Sequence, residues 1–470
     1  MKKIIQKIVI KSNNIKLFHE LNKKIYFFGL KIFIKIFSKL PLVSSIYLRR
    51  SMLKKEIVPG SSDVDLAIII QDTDLEQEKL FMKRFLKKYF LLKKIFPFLG
   101  EVVILSKSEI KRWLKHGGSH SNEALETWKL LFGKKVIFGN PKKNLKSEFS
   151  RAMTIYLHFL LKEYLTNDLD KNYCRNIYKY YEEIIKHLEA CGWKKTSDFK
   201  LLDKDFKKLK QNNFFSKESE EFILRTLCIF VKPFKKTAEK VLKGFKPQKK
   251  MEHFNLCFDY PQGKFLLEKM VPFFKESHLK LSSFVDDFMF SSAGYSRYKY
   301  RFDVILKNDL SFEDLNLFFK GLKFLYQKHK KFLVLDYWDS FKPVQVLPLE
   351  AFNFNLVYAH GWPSLELFYL EKYGYSFYNK KRDFRSLKKL FDISGFKADI
   401  SFFPAYHRML AQSKNKKTRL LLEDLFFGYI HFSNALQTHS NIKLRRNLEK
   451  LYFEMYDVFC NFYSQIKKDL

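Results

Sequence analysis

Residues 59–70 read PGSSDVDLAIII, and this stretch decides the fold. Leu66-Ala67-Ile68-Ile69-Ile70 is an apolar run bounded by the turn residues Pro59-Gly60-Ser61-Ser62, the pattern of a buried strand. Side chains alternate faces along a strand, so Asp63 and Asp65 point one way while Val64 and Leu66 point the other. Neighbouring carboxylates repel each other, and burying them unpaired is costly. A cation between them removes the conflict, and a divalent metal with oxygen ligands fits best.

Working outward, a helix is expected over 14–39, ending before Pro41, and a short strand over 42–48. A basic loop, RRSMLKKEIVPGSS, leads into the acidic strand. Thr73 and Glu76 form a capping-box pattern that opens a helix running to about Ile95. FPFLG breaks it, and EVVIL (101–105) is the next strand. Ser106 and Glu109 then cap a helix, and NEALETWKLLFGKKVIFGN reads as a helix, a glycine turn and a short extended piece. The alternation of strand and helix marks an α/β core. From 148 to about 244 the pattern is helical, and KGFKPQKK (243–250) reads as a linker. Beyond it, strands are expected over 295–306 and 331–338 and helices over 310–329 and 417–436. LELFYLEKYGYSFYN (365–379) faintly echoes 125–140, but with no second aspartate pair beside it the echo carries no argument.

The chain has 470 residues, enough for several domains, with the apolar and charged content of a soluble globular protein. Its net charge of +37 suggests a polyanionic partner such as nucleic acid or nucleotides. Lysines are nevertheless spread along the whole chain, and abundant Lys, Ile, Phe and Asn are also the mark of an AT-rich genome. The five cysteines are scattered without a CxxC pair, which suits reduced thiols and a cytoplasmic location. The N-terminus lacks the features of a signal peptide, and IYFFGLKIFIKIFSKL is too short and too charged to span a bilayer. Such a basic amphipathic helix lies on a membrane surface or packs on its own domain.

The order of motifs in IYLRRSMLKKEIVPGSSDVDLAII, followed by Glu101 at the start of a later strand, resembles the nucleotidyltransferase domain of the DNA polymerase beta superfamily, and particularly small bacterial members of the aminoglycoside-nucleotidyltransferase type. The resemblance covers roughly residues 40–145. It implies a mixed sheet with flanking helices and the transfer of an NMP from an NTP to an acceptor hydroxyl. It further implies Mg2+ or Mn2+ held by Asp63, Asp65 and Glu101, with Glu101 completing a two-metal site or acting as general base. By the same resemblance Arg50, Ser51 and Ser62 bind the nucleotide, with Lys54 and Lys55 adding charge. The family has glycine before the serine of this turn, and here that position is Arg50. It either grips the triphosphate or marks a fold that has kept nucleotide or RNA binding and lost turnover.

The resulting division is an N-terminal helical extension (1–40), an α/β nucleotidyltransferase core (41–147), a helical domain (148–247) and a mixed, mainly helical C-terminal domain (248–470) of unassigned role. The acceptor is a small molecule, an RNA end or a protein. A third reading makes the chain a structural or membrane-surface protein in which SDVDL is chance. Other pairs fit ordinary structure better: His116 and His120 a loop, His187 and Cys191 a helix face, Asp286 and Asp287 a turn or cap, Asp336 and Asp339 a strand end. No Walker loop, GxGxxG or GxSxG motif occurs.

Overall fold

A computed structural model describes residues 15–49, 59–60, 63–116, 128–136, 144–166, 174–211, 217–247, 262–291, 301–329, 344–358, 366–378 and 380–392, together with residues 9, 12, 394, 405, 408, 409 and 412. The chain divides into two compact units. The first comprises residues 1–143, 397–422 and 446–470, and the second 144–396 and 423–445. The expected boundaries fall at 40, 147 and 247. The observed division lies at 143/144 and returns to the first unit at 396/397. No helix among the described residues is long and apolar enough to cross a membrane.

The first unit is built on α1 (Lys16–Phe37), β1 (Val43–Leu48), β2 (Val64–Ile70), α2 (Leu75–Ile95), β3 (Leu99–Ser106), α3 (Lys107–His116) and β4 (Lys129–Gly133). Its sheet has the order β3-β2-β1-β4. β1 runs antiparallel to both β2 and β4, while β2 and β3 are parallel. A parallel pair needs a long crossover, and α2 supplies it. Val64, Leu66, Ile68 and Ile70 bury one face of β2 against Phe33 and Phe37 of α1 and Phe81 and Phe85 of α2. The α1 helix therefore packs on its own unit. The opposite face carries Ala67 and Ile69, packed with Tyr47, Val103, Leu105 and Trp113.

Local signals explain the element ends. Ser106 and Glu109 form a reciprocal capping box: the Ser106 N–H donates to Glu109 Oε2 at 2.7 Å, and the Glu109 N–H donates to Ser106 Oγ at 3.3 Å. The α2 cap falls one residue later than expected. Asp74 accepts from the Gln77 N–H at 2.9 Å, while the Thr73 hydroxyl donates to Gln77 Oε1. A carboxylate beside the helix N-terminus is the better acceptor for the unpaired amides. Residues 129–133 are also corrected, from helix to strand: they pair with β1, and Gly133 turns the chain out at φ +85°.

The chain returns to the first unit near its end. Gln412 lies along the outer edge of β3, accepting from the Val102 N–H at 2.9 Å and donating to the Val102 carbonyl at 2.7 Å. One side-chain amide thus satisfies an edge residue as a further strand would. Arg408 is buried, bonding Glu109 at 2.6 and 3.0 Å, Glu78 at 2.7 Å and the Ile104 carbonyl at 3.0 Å.

The second unit begins with helices α4 (Leu145–Ile155) and α5 (Lys162–Thr166), joined through a π-helical turn at Tyr156–Leu161. They are followed by α6 (Cys174–Ala190), α7 (Ser197–Gln211) and α8 (Lys217–Lys243). Then come α9 (Gln262–Leu281), β5 (Val285–Ser291), β6 (Arg301–Leu306), α10 (Phe312–His329) and β7 (Val344–Pro348). The last elements are α11 (Leu349–Val357), α12 (Glu366–Tyr373), β8 (Tyr375–Ser376) and α13 (Phe384–Lys389). Its sheet has the order β7-β6-β5-β8. The expected linker is no boundary at its start, since Phe245 is buried against Phe354 and Tyr358 with Lys146 Nζ 3.8 Å from its ring centroid.

Asp286 and Asp287 are corrected from a turn to the body of β5. Asp287 is fully buried, held by the Ser376 hydroxyl at 2.9 Å and by Arg382 at 3.3 Å. His187 and Cys191 behave as a helix face: His187 Nδ1 lies 2.6 Å from Glu148 Oε2, and the Cys191 thiol faces the Leu145 carbonyl. Cys191 and Cys228 are buried, and burial pushes the Cys228 thiol up to about 12. Residues 117–127 and 330–343, with His120, Asp336 and Asp339, lie outside the described residues, as does the helix expected over 417–436.

Removing Arg408 leaves buried Glu109 without its cation. Arg408→Ala is expected to destabilise the fold by about 3–5 kcal/mol, read as a fall in the urea midpoint. A loss under about 1 kcal/mol shows that the return segment is not held by this ion pair.

Candidate functional site

The alternation read from the sequence places its acids at one end of the first sheet. Val64 and Leu66 are fully buried, while Asp63 is exposed and Asp65 half-buried at the mouth of β2. By strand parity Asp63 and Asp65 share the face of Ala67 and Ile69, and Glu101 shares the face of Val103 and Leu105. Val64 pairs with Leu99 and Leu66 with Val102, so Gly100 and Glu101 together stand opposite Asp65. This extra residue is a bulge, which re-aims the side chains beside it.

Gly100 is what lets β3 start close beside the aspartates. A Cβ at this position would stand 2.7 Å from Asp65 Oδ1, 3.1 Å from Asp63 Cβ and 3.2 Å from the Val64 carbonyl. Only glycine lets β3 start flush against the aspartates. Tyr89 of α2 reaches the same point: its hydroxyl donates to the Gly100 carbonyl at 2.6 Å and accepts from Lys93 Nζ at 2.9 Å. Burial, and then the charges of Glu101, Asp63 and Asp65, push the Tyr89 phenol well above its ordinary value. The phenol therefore remains a proton donor at neutral pH, and all three carboxylates act on it.

Arg49, at the end of β1, completes the arrangement. Its N–H donates to the Asp65 carbonyl at 2.9 Å. Its guanidinium, only 5% exposed, lies 3.9 Å from Glu101 Oε1, whose side chain is 42% exposed, and 5.4 Å from the Trp128 ring centroid. The turn before β2 is anchored by α1: Gly60, at φ +84°, donates its N–H to the Tyr26 hydroxyl at 2.9 Å, and Tyr26 stacks on Phe98.

The structure thus brings Asp63, Asp65 and Glu101 to one sheet end. Arg50, Ser51 and Ser62, expected at the nucleotide, and Lys54 and Lys55 lie outside the described residues. Among the described residues no group of three or more His, Cys, Asp or Glu side chains is gathered closely enough to hold a metal ion. The oxygen donors of Asp63 and Asp65 suit a hard, largely hydrated divalent ion that takes one or two carboxylates. Glu101 instead stands against Arg49.

Gly100 and Tyr89 were not among the sequence candidates, and Arg49, weighed there with Arg50 as a solvated pair or a phosphate ligand, is instead buried. Gly100 carried a usable signal, a glycine directly before the third acid. Tyr89 carried none beyond the apolar spacing of its helix.

No protein-family model, curated protein or solved structure matches the chain.

Gly100→Ala must turn the Asp65 carboxylate aside and crowd the Val64 carbonyl. The expected cost is about 1–3 kcal/mol, read in the urea midpoint. Tyr89→Phe, which removes the donor to a buried carbonyl, is expected to cost about 1 kcal/mol. An unchanged midpoint in Gly100→Ala would show that the close approach is not a constraint.

Proposed function

We propose that the chain is a metal-dependent nucleotidyltransferase moving an NMP from an NTP to an acceptor hydroxyl on a small molecule, an RNA end or a protein. The observation that carries this reading is the position of Asp63, Asp65 and Glu101 at one sheet end, beside a glycine with no room for a side chain. The mixed sheet with its helical crossover accords with the family that the motif order resembles.

In this reading Asp63 and Asp65 would hold Mg2+ or Mn2+, which would supply positive charge against the phosphates. The acceptor oxygen bonds to the α-phosphorus and pyrophosphate leaves. Glu101 takes the acceptor proton. The base role suits it better than a third ligand role, because Arg49 already stands against it. Arg49, fixed on Trp128, orients that carboxylate. Tyr89, through the Gly100 carbonyl, keeps the start of β3 in place. Ser51, Ser62 and Arg50 hold the triphosphate by resemblance alone.

A second reading is nucleotide or RNA binding without turnover. It is favoured by Arg50 in place of the family glycine and by the pairing of Glu101 with Arg49.

The test incubates the full chain with Mg2+ and each α-32P-labelled NTP in turn, together with total RNA and a small-molecule extract. Label is expected to enter a product with wild type and to fall roughly 100-fold or more in Asp63→Asn/Asp65→Asn. Mg2+-dependent NTP binding with no labelled product would instead establish the binding reading.

A further inference from the structure

The α1 helix carries two apolar stripes, and only one of them is buried. Tyr26, Leu30, Phe33 and Phe37 recur at helical spacing and lie in the core of the first unit. Leu17, Leu21, Ile25 and Phe28 recur at the same spacing but are exposed, Leu17 at 76% and Phe28 at 58%. A single exposed leucine is ordinary, but a row along one helix is a patch left for something else to cover. Phe28 also stands edge-on to Phe96 at 6.1 Å, just past the end of α2, where Leu91 and Ile95 are each 62% exposed. The patch thereby continues onto the second helix.

The charge around this patch has one sign. The exposed cations of α1 are Lys16, Lys24, Lys31 and Lys35, and its one exposed acid, Glu20, is paired with Lys23 at 3.0 Å. From Lys83 to Ile95 every exposed residue of α2 is a lysine, an arginine, a leucine or an isoleucine. Both helices pack on the face of β2 that carries Val64, Leu66, Ile68 and Ile70, so their outer sides form one layer turned away from the sheet. Asp63, Asp65 and Glu101 share the opposite face of that sheet.

We infer that the outer side of α1 and α2 is a docking surface for the anionic headgroup layer of a lipid bilayer. Leu, Ile and Phe side chains gain free energy where they enter the boundary between headgroups and acyl chains. The lysines beside them lay their hydrocarbon stems along that boundary and keep their ammonium groups at the lipid phosphates. Apolar insertion and charge complementarity thus act together, the two signals that stable peripheral attachment takes. A nucleic-acid strand would engage the lysines and leave the apolar stripe in water. Attachment is to the surface only, since no helix among the described residues is long and apolar enough to cross the bilayer. In this orientation the acids lie on the side of the sheet away from the lipid. The inference stands apart from the proposed catalysis.

The test is co-sedimentation of the full chain with vesicles of phosphatidylcholine alone and of about three parts phosphatidylcholine to one part phosphatidylserine. The chain is expected to pellet with the anionic vesicles and far less with the neutral ones. Leu17→Asn/Leu21→Asn is expected to weaken binding roughly tenfold. Lys87→Gln/Lys88→Gln is expected to weaken it by a similar factor, roughly tenfold. Lys200→Gln/Lys204→Gln, at exposed positions of α7, lowers the net charge equally and is expected to bind as wild type does, as is Asp63→Asn/Asp65→Asn. The substituted leucines and lysines are exposed, so their urea midpoints are expected to hold. The inference is overturned if wild type does not pellet with anionic vesicles, or if Lys87→Gln/Lys88→Gln binds like Lys200→Gln/Lys204→Gln. Loss of binding in the lysine variant but not in the leucine variant would assign the face to a polyanion such as RNA and also overturn it. So would self-association of wild type that the leucine variant abolishes, which would make a second copy the cover. Vesicle binding with no label transfer would sink the proposed catalysis and leave this surface standing.

Discussion

How closely β3 can begin beside β2 governs the first unit. The two strands are parallel, and at their shared start the Asp65 carboxylate occupies the space a side chain on residue 100 would need. Glycine there has three consequences. Leu99 pairs with Val64 at full depth in the core. The extra residue turns Glu101 onto the face of the aspartates. The buried Gly100 carbonyl becomes the anchor for Tyr89, which ties the crossover helix to the sheet.

The electrostatics of the site run against those of the whole chain. A protein of +37 attracts anions over long range. At the start of β2 the local charge is negative, strongly enough to act on the Tyr89 phenol. Arg49 and Lys93 supply fixed cations on two sides. An anion drawn to the surface therefore meets carboxylates, a conflict of charge that the metal ion proposed above would resolve.

The parts legible in sequence were those set by local physics. Asp63 and Asp65 followed from alternation, and Ser106 with Glu109 from capping chemistry. The cap of α2 was misplaced because Thr73 and Asp74 are both good caps, and only geometry decides between them. β4 was missed because KLLFG is a short apolar run whose helix or strand character depends on β1 lying beside it. Arg408 and Gln412 were illegible because their partners lie about 300 residues away in the chain. Buried Asp287 escaped notice because its partners come from β8 and Arg382.

The Gln412 clasp on β3 has a consequence for synthesis. The first sheet is made early, yet the amide that seals its outer edge at Val102 lies 310 residues downstream. Until the ribosome reaches that point, the nascent β3 presents open backbone groups to any passing strand. The four strands of the second sheet have all been made once Ser376 has emerged. Strand formation and final closure of the N-terminal unit are therefore separated in time by the translation of almost the entire second unit, a window in which chaperone cover on β3 matters most.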